Sequence, residues 1–194
     1  MIVGLTGGIG SGKSYLAQAL AQRGFAVYDC DREAKRIIAE SQDLQAAIID
    51  LLGEETFVEG KYNTAYVAKR VFADPELLKK LNAIIHPEVA KDILAKKPDF
   101  VESAILFESG LDRLCDKIVI VTAPEETRIA RTIARDYQEA ATPENINKVR
   151  ARIRAQKEIP ASTAVPQGSI LTVINDDASV LSRIIDRISR FAAC

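Results

Sequence analysis

The sequence predicts an α/β fold, a doubly wound parallel sheet of five strands, and three observations carry that prediction. Five short runs are apolar nearly throughout instead of alternating, the pattern of strands buried on both faces. Segments with helical spacing lie between them, as parallel strands require for their crossovers. A glycine-rich turn joins the first run to the first helix. At 194 residues the chain suits one domain with a full core and small inserted lobes, and is short for two independent domains.

The strand runs are "IVGLT" (Ile2 to Thr6), "FAVYD" (Phe25 to Asp29), "ESAILF" (Glu102 to Phe107), "KIVIVTA" (Lys117 to Ala123) and "ILTVIN" (Ile170 to Asn175). Helical spacing covers Ser14 to Arg23, Asp31 to Leu52, Glu125 to Asp136 and Asp177 to Phe191. The alternation breaks between Asp31 and Lys97, where the spacing is helical, no strand is evident, and turns are signalled at Gly53, Glu59 to Asn63, Asp74-Pro75 and His86-Pro87. A charged segment from about Asp136 to Pro166 reads as a helical flap; between Arg128 and Lys157 eight basic residues stand against three acidic ones, Asp136, Glu139 and Glu144. The expected organisation is a core from residues 1–30, 98–135 and 157–194, a helical substrate lobe over 31–97 and a lid over 136–156.

Composition narrows the class. Basic and acidic residues nearly cancel, 26 against 27, so no global field advertises a nucleic acid or an anionic membrane as partner. Three widely spaced cysteines without a C-x-x-C pair, Cys30, Cys115 and Cys194, suit free thiols in a reducing compartment. No apolar run approaches roughly 18 residues, and no signal-type leader is visible. A cytoplasmic protein, monomeric or weakly self-associating, is the expectation.

The turn after the first strand is Gly7-Gly8-Ile9-Gly10-Ser11-Gly12-Lys13-Ser14, which fits G-x-x-x-x-G-K-[ST] between a buried-type strand and a helix. Glycines let such a loop wrap phosphate oxygens with inward-pointing N–H groups, and the helix adds the positive end of its dipole. This predicts a P-loop core with Gly8, Gly10, Ser11, Gly12, Lys13, Ser14 and Tyr15 as nucleotide-binding candidates. Lys13 would bridge the outer phosphates of ATP, and the Ser14 hydroxyl would meet Mg²⁺. A dinucleotide fingerprint starting at Gly8 fails, because Lys13 stands where its third glycine is needed.

A GTPase switch needs [NT]-K-x-D and D-x-x-G; "NKVR" (Asn147 to Arg150) lacks the aspartate, and in "DLLG" Gly53 reads as a helix C-cap. A small-molecule kinase fits the two insertions better, because a closing lid excludes the water that would otherwise take the phosphoryl group. Asp29 ends the second strand and Asp31 follows it, at the end where ligands of parallel sheets bind. One could take the acceptor's proton and the other hold a water of the magnesium shell; Asp31 also reads as a helix N-cap. Arg128, Arg131 and Arg135 share a helix face and suit phosphate contact. His86 is the lone histidine; it precedes Pro87, where a helix is expected to begin, and reads equally as a local capping residue or a substrate contact.

With these residues in hand the chain resembles the dephospho-CoA kinase family, through "LTGGIGSGKS", Asp29-x-Asp31, "FADPE" (Phe72 to Glu76), "LNAIIHP" (Leu81 to Pro87), "LFE" (Leu106 to Glu108), "RTIARD" (Arg131 to Asp136), "RIRAQ" (Arg152 to Gln156) and "VIN" (Val173 to Asn175). The resemblance implies phosphorylation of the ribose 3′-hydroxyl of dephospho-CoA by ATP, the last step of coenzyme A formation. It implies Asp31 as acceptor base, Lys13 and the lid residue Arg135 as further catalytic groups, and Asp29, His86, Phe107 and Glu108 as substrate contacts. A kinase for another nucleotide or nucleoside is the alternative. The chain departs from the family pattern at Ala104-Ile105, where a proline is usual, at Tyr15 in place of threonine, and at "PQGS" (Pro166 to Ser169), where an Ala-Asp pair is expected nearby.

Overall fold

The computed structural model describes residues 1–138, 141–156, 165 and 168–193. Glu139, Lys157, Pro166 and Cys194 lie outside the described residues. In chain order the elements are β1 (Val3–Gly7), α1 (Lys13–Gln22), β2 (Val27–Asp29), α2 (Cys30–Glu40), α3 (Gln42–Leu52), β3 (Phe57–Val58), β4 (Lys61–Tyr62), α4 (Thr64–Phe72), α5 (Pro75–Lys96), β5 (Phe100–Glu102), β6 (Lys117–Thr122), α6 (Glu125–Asp136), α7 (Pro143–Ala155), β7 (Ile170–Ile174) and α8 (Leu181–Ala193). They fall into two compact units, one drawn from Met1–Tyr28 and Lys97–Cys194, the other from Asp29–Lys96.

The larger unit is built on a parallel five-stranded sheet of order β2-β5-β1-β6-β7. β1 is central, pairing Val3 to Gly7 with Lys117 to Val121 and Val3 to Leu5 with Phe100 to Glu102. All five of its residues are buried, which explains why the run carries no polar alternation. Leu5, Leu16, Leu20, Phe100, Val119, Val173, Ile185 and Ile188 form one core among the strands, α1 and α8. Truncating any of the fully buried leucines to alanine removes about 2–5 kcal/mol.

α6 and α7 carry a smaller core of Ile129, Ile133, Val149 and Ile153, with Ile9 packed against it. The flap segment thus buries apolar side chains of its own. Its positive charge is also answered. Arg150 pairs with Glu125 and Glu126, Lys148 with Glu144, and Asp136 with both Arg135 and Arg152.

The helical unit has its own core of Ile38, Leu44, Ile48, Leu52, Val67, Val71 and Leu81. An ion-pair network joins α2 to α5, with Glu33 accepting from Arg36 at 2.8 Å and Lys96 at 2.6 Å, and Asp92 accepting from Arg36 at 2.9 Å.

Several elements differ from the sequence expectations, each for a local reason. The third strand is Phe100–Glu102, ahead of the expected "ESAILF". The residues after it turn, with the Ile105 N–H donating to Ser103 Oγ, and the run is apolar because Leu106 is fully buried. The single helix expected over Asp31 to Leu52 is two helices. Ser41 adopts extended backbone and caps α3 by accepting from the Leu44 N–H, while Gln45 Nε2 donates to the Ile38 and Ala39 carbonyls at the end of α2. The N-cap of α2 is Asp29, accepting from the Arg32 N–H, and Asp31 sits in the first turn. Pro87 lies inside α5 and does not begin a helix; Leu81, Val89 and Ile93 are buried on both sides of it, and that packing carries the helix across the missing N–H. A two-stranded antiparallel ribbon, β3 with β4, occupies the Glu59 to Asn63 turn region, where no strand was expected.

Cys115 is buried beside Gly4, and burial first, with Asp112 and Asp116 adding to it, pushes its thiol up to about 12. Cys30 is buried as well.

Candidate functional site: the glycine loop after β1

β1 ends at Gly7 and α1 starts at Lys13, so the residues between them make the connection in a tight loop. Gly10 (φ 74°) and Gly12 (φ 84°) occupy left-handed backbone, which costs an L-residue roughly 1–2 kcal/mol. Space is short as well: a Cβ on Gly7 would lie 2.5 Å from the Val121 carbonyl oxygen. The Ser11 N–H closes the loop on the Gly8 carbonyl at 3.0 Å.

α1 and α6 both begin without a side-chain cap, at Gly12 and Pro124. Asp29, Ser41, Asn63 and Thr142 each cap a helix through a side-chain oxygen, whereas no side-chain hydrogen bond caps α1 at Gly12. The N–H groups of Lys13, Ser14 and Tyr15 meet no acceptor among the described residues, and behind a glycine loop such a first turn suits an anion. The Ser11 hydroxyl is buried without a hydrogen-bond partner among the described residues.

Lys13 and Ser14 both reach Glu102, the last residue of β5. The Lys13 ammonium is ion-paired with Glu102 Oε1, and Ser14 Oγ donates to the same oxygen at 2.9 Å. Glu102 is 6% exposed. A hydroxyl and a carboxylate side by side next to the loop are hard oxygen donors suited to Mg²⁺. Tyr15, one residue on, is exposed.

The arginines divide by role. Arg128 Nε donates to the Ile9 carbonyl at 2.7 Å. Arg131 Nη1 donates to the carbonyls of Asn175 (2.7 Å) and Ser11 (3.3 Å), and Asn175 Nδ2 also donates to the Ser11 carbonyl at 3.0 Å. These two arginines thus hold loop carbonyls, a role the sequence reading did not anticipate. Burial pushes the Arg128 guanidinium below its usual range, with Glu125 acting in the opposite direction. Arg135 is turned to Asp136, whose carboxyl is lowered to about 2 by Arg135 and then Arg152.

Phe107 is half-buried and Glu108 exposed in the turn after β5. In the helical unit Asp31 is exposed on the first turn of α2, and His86 is half-buried in α5, where burial pushes its imidazole below the usual range. Lys13 and Ser14 are the sequence candidates brought into one contact set. Glu102, Asn175 and Gln156 complete the loop's surroundings and were not singled out as site residues. Glu102 did carry a signal, an acid closing a buried run.

The dephospho-CoA kinase family profile matches residues 1–178. A dephospho-CoA kinase from Porphyromonas gingivalis is 35% identical over 192 residues, covering 96% of this chain and 91% of its own. One from Fusobacterium nucleatum is 42% identical over 155 residues, covering 76% and 80%. Among solved structures, TT1252 from Thermus thermophilus superposes with a TM-score of 0.75 at 30% identity, covering 98% of this chain and 96% of its own. A dephospho-CoA kinase from Campylobacter jejuni shares the fold, with a TM-score of 0.59 at 20% identity and 97% of each chain covered. With its uncapped helix behind a glycine loop, and with relatives matching nearly end to end, the chain belongs to the dephospho-CoA kinase family.

Proposed function

We propose that the loop between β1 and α1 binds the polyphosphate of ATP and that Asp31 directs the 3′-hydroxyl of dephospho-CoA at its γ-phosphorus. The activity is the family's, phosphoryl transfer to dephospho-CoA in the final step of coenzyme A formation. The uncapped N-terminus of α1, beside Lys13, is the observation that carries the placement.

In this reading the N–H groups of the loop and the first turn of α1 grip the phosphates, and Lys13 leaves Glu102 for their outer oxygens. Ser14 and Glu102 would hold Mg²⁺, which supplies neutralisation of charge on the β- and γ-phosphates. The 3′-oxygen bonds to the γ-phosphorus as the bond to the bridging oxygen breaks, and the hydroxyl proton passes to Asp31. Asp31 is exposed and makes no ion pair among the described residues, as a base awaiting a substrate hydroxyl should. Arg135, on the last turn of α6, is the lid arginine assigned to the transferring phosphoryl, and Tyr15 is assigned to the nucleotide. Asp29, His86, Phe107 and Glu108 are assigned to the acceptor. Among the described residues no helix is long and apolar enough to cross a membrane.

Asp31→Asn is expected to lower kcat by about a hundredfold or more while the dissociation constant for ATP stays within twofold or so. An ADP-release assay across dephospho-CoA, AMP, CMP, UMP and nucleosides is expected to select dephospho-CoA. Near-normal turnover in the variant removes Asp31 from the role, and equal use of another acceptor overturns the substrate assignment.

A further inference from the structure

We infer that Arg128 and Gln156 form a clamp on the two main-chain polar groups of Ile9 that sets the phosphate loop in its binding shape, making both positioning residues for ATP. The inference rests on the placement of ATP phosphates in the loop proposed above.

Both polar groups of Ile9 are held by this pair. Its carbonyl accepts from Arg128 Nε at 2.7 Å, and its N–H donates to Gln156 Oε1 at 2.9 Å. Arg128 Nη2 donates to the same Gln156 oxygen at 3.3 Å, so the three residues close a ring. Arg128 comes from the first turn of α6 and Gln156 is the C-cap of α7. The ring therefore ties both helices to one residue of the loop.

Peptide planarity converts that tie into a binding geometry. In a trans peptide the C=O and the following N–H point in opposite directions. Fixing the Ile9 carbonyl on Arg128 therefore fixes the Gly10 N–H on the opposite side. That N–H donates to no group among the described residues. A guanidinium on the carbonyl also polarises the peptide, which strengthens the N–H as a donor to an anion. Donors held in place before the ligand arrives are the arrangement that stabilises charge most effectively.

Gly8 gives an independent sign that the loop is shaped around the clamp. It is absent from the residues with positive φ, so left-handed backbone does not explain it. A Cβ there would lie 2.5 Å from Arg128 Nη2 and 3.0 Å from Gln156 Oε1. Gly10 behaves similarly, since its Cβ would meet the backbone of Arg128 itself. Two glycines of the motif leave room for this arginine as well as for phosphate.

The test compares Arg128→Ala, Arg128→Lys, Gln156→Ala, the Arg128→Ala/Gln156→Ala double variant and Lys13→Ala in the full chain. Measurements are Mg·ATP binding by calorimetry without acceptor, KM for each substrate, and Tm. Loss of one charged hydrogen-bond set is expected to weaken ATP binding about tenfold in Arg128→Ala and Gln156→Ala, with KM for dephospho-CoA within about twofold. The double variant is expected to be no worse than the weaker single one, because both residues act on the same loop residue, Ile9, and bond each other. Arg128→Lys should recover part of the affinity, since an ammonium reaches the Ile9 carbonyl but cannot fork to Gln156, and added methylguanidine should rescue Arg128→Ala. Should Arg128→Ala fail to fold, Gln156→Ala and Arg128→Lys carry the same comparison. The clamp is overturned if ATP binding is unchanged in the variants, or if KM for both substrates rises together with a fall in Tm. Lys13→Ala separates the two readings. Lost ATP affinity there with none lost at Arg128 and Gln156 removes only the clamp, whereas retained affinity in Lys13→Ala removes the phosphate site and the clamp with it.

Discussion

Glu102 is the residue on which the charge of the loop turns. It accepts from both Lys13 and Ser14, so the ammonium that would attract a polyphosphate is already answered by a carboxylate. A lone anion that draws Lys13 away leaves the buried Glu102 carboxylate unpaired, whereas a ligand that brings a divalent cation satisfies both groups. Glu102→Gln keeps the hydrogen bonds and removes the charge. It is expected to tighten binding of metal-free ATP, and to raise the Mg²⁺ concentration for half-maximal activity by about tenfold. Calorimetry with and without chelator and a Mg²⁺ titration of turnover check the two halves separately. Binding of metal-free ATP unchanged from the parent chain would show that Glu102 does not gate the charge.

At the scale of elements, Ser41 shows how one hydroxyl decides between one long helix and two. The apolar spacing runs on through it, which is why periodicity alone expects a continuous helix over Asp31 to Leu52. The extended backbone of Ser41, its bond from the Leu44 N–H and the Gln45 amide on the α2 carbonyls are what separate α2 from α3. Ser41→Ala is expected to cost about 1 kcal/mol, seen as a fall in Tm, with Ser41→Asp recovering most of it. Similar reasoning explains which parts of the chain were legible in sequence. β1, β6 and α6 were readable because burial on both strand faces and a clean helical stripe leave direct marks. The third strand was displaced because Leu106 is buried from a turn, and apolarity does not distinguish a buried turn from a buried strand. Lys13 and Ser14 followed from loop spacing, whereas Gln156 and Asn175 act through contacts more than a hundred residues away in sequence, which local patterning cannot reveal.

Across the whole molecule, the helical unit places its charges in a network around Glu33. Hydrogen bonds from Lys96 and then Arg36 lower the Glu33 carboxyl from 4.5 to about 2. Its folded value lies below the unfolded one, so on acidification the unfolded chain takes up the proton first. The stabilisation is full above pH 4.5 and is lost as pH falls through 2. Glu33→Gln is expected to lower stability by about 1 kcal/mol at neutral pH and to flatten the decline between pH 4.5 and 2. Urea unfolding across that range reads both effects, and parallel profiles for the two proteins would show that the network contributes nothing.

The acceptor of this reaction and its product each end in a sulfhydryl, a group that exchanges readily with any accessible thiolate or disulfide. Cys30 and Cys115 are enclosed, and Cys115 stays protonated to about pH 12. Burial keeps both sulfurs from solvent. Among the described residues, the burial of both cysteines opposes thiol exchange with a sulfhydryl-bearing coenzyme.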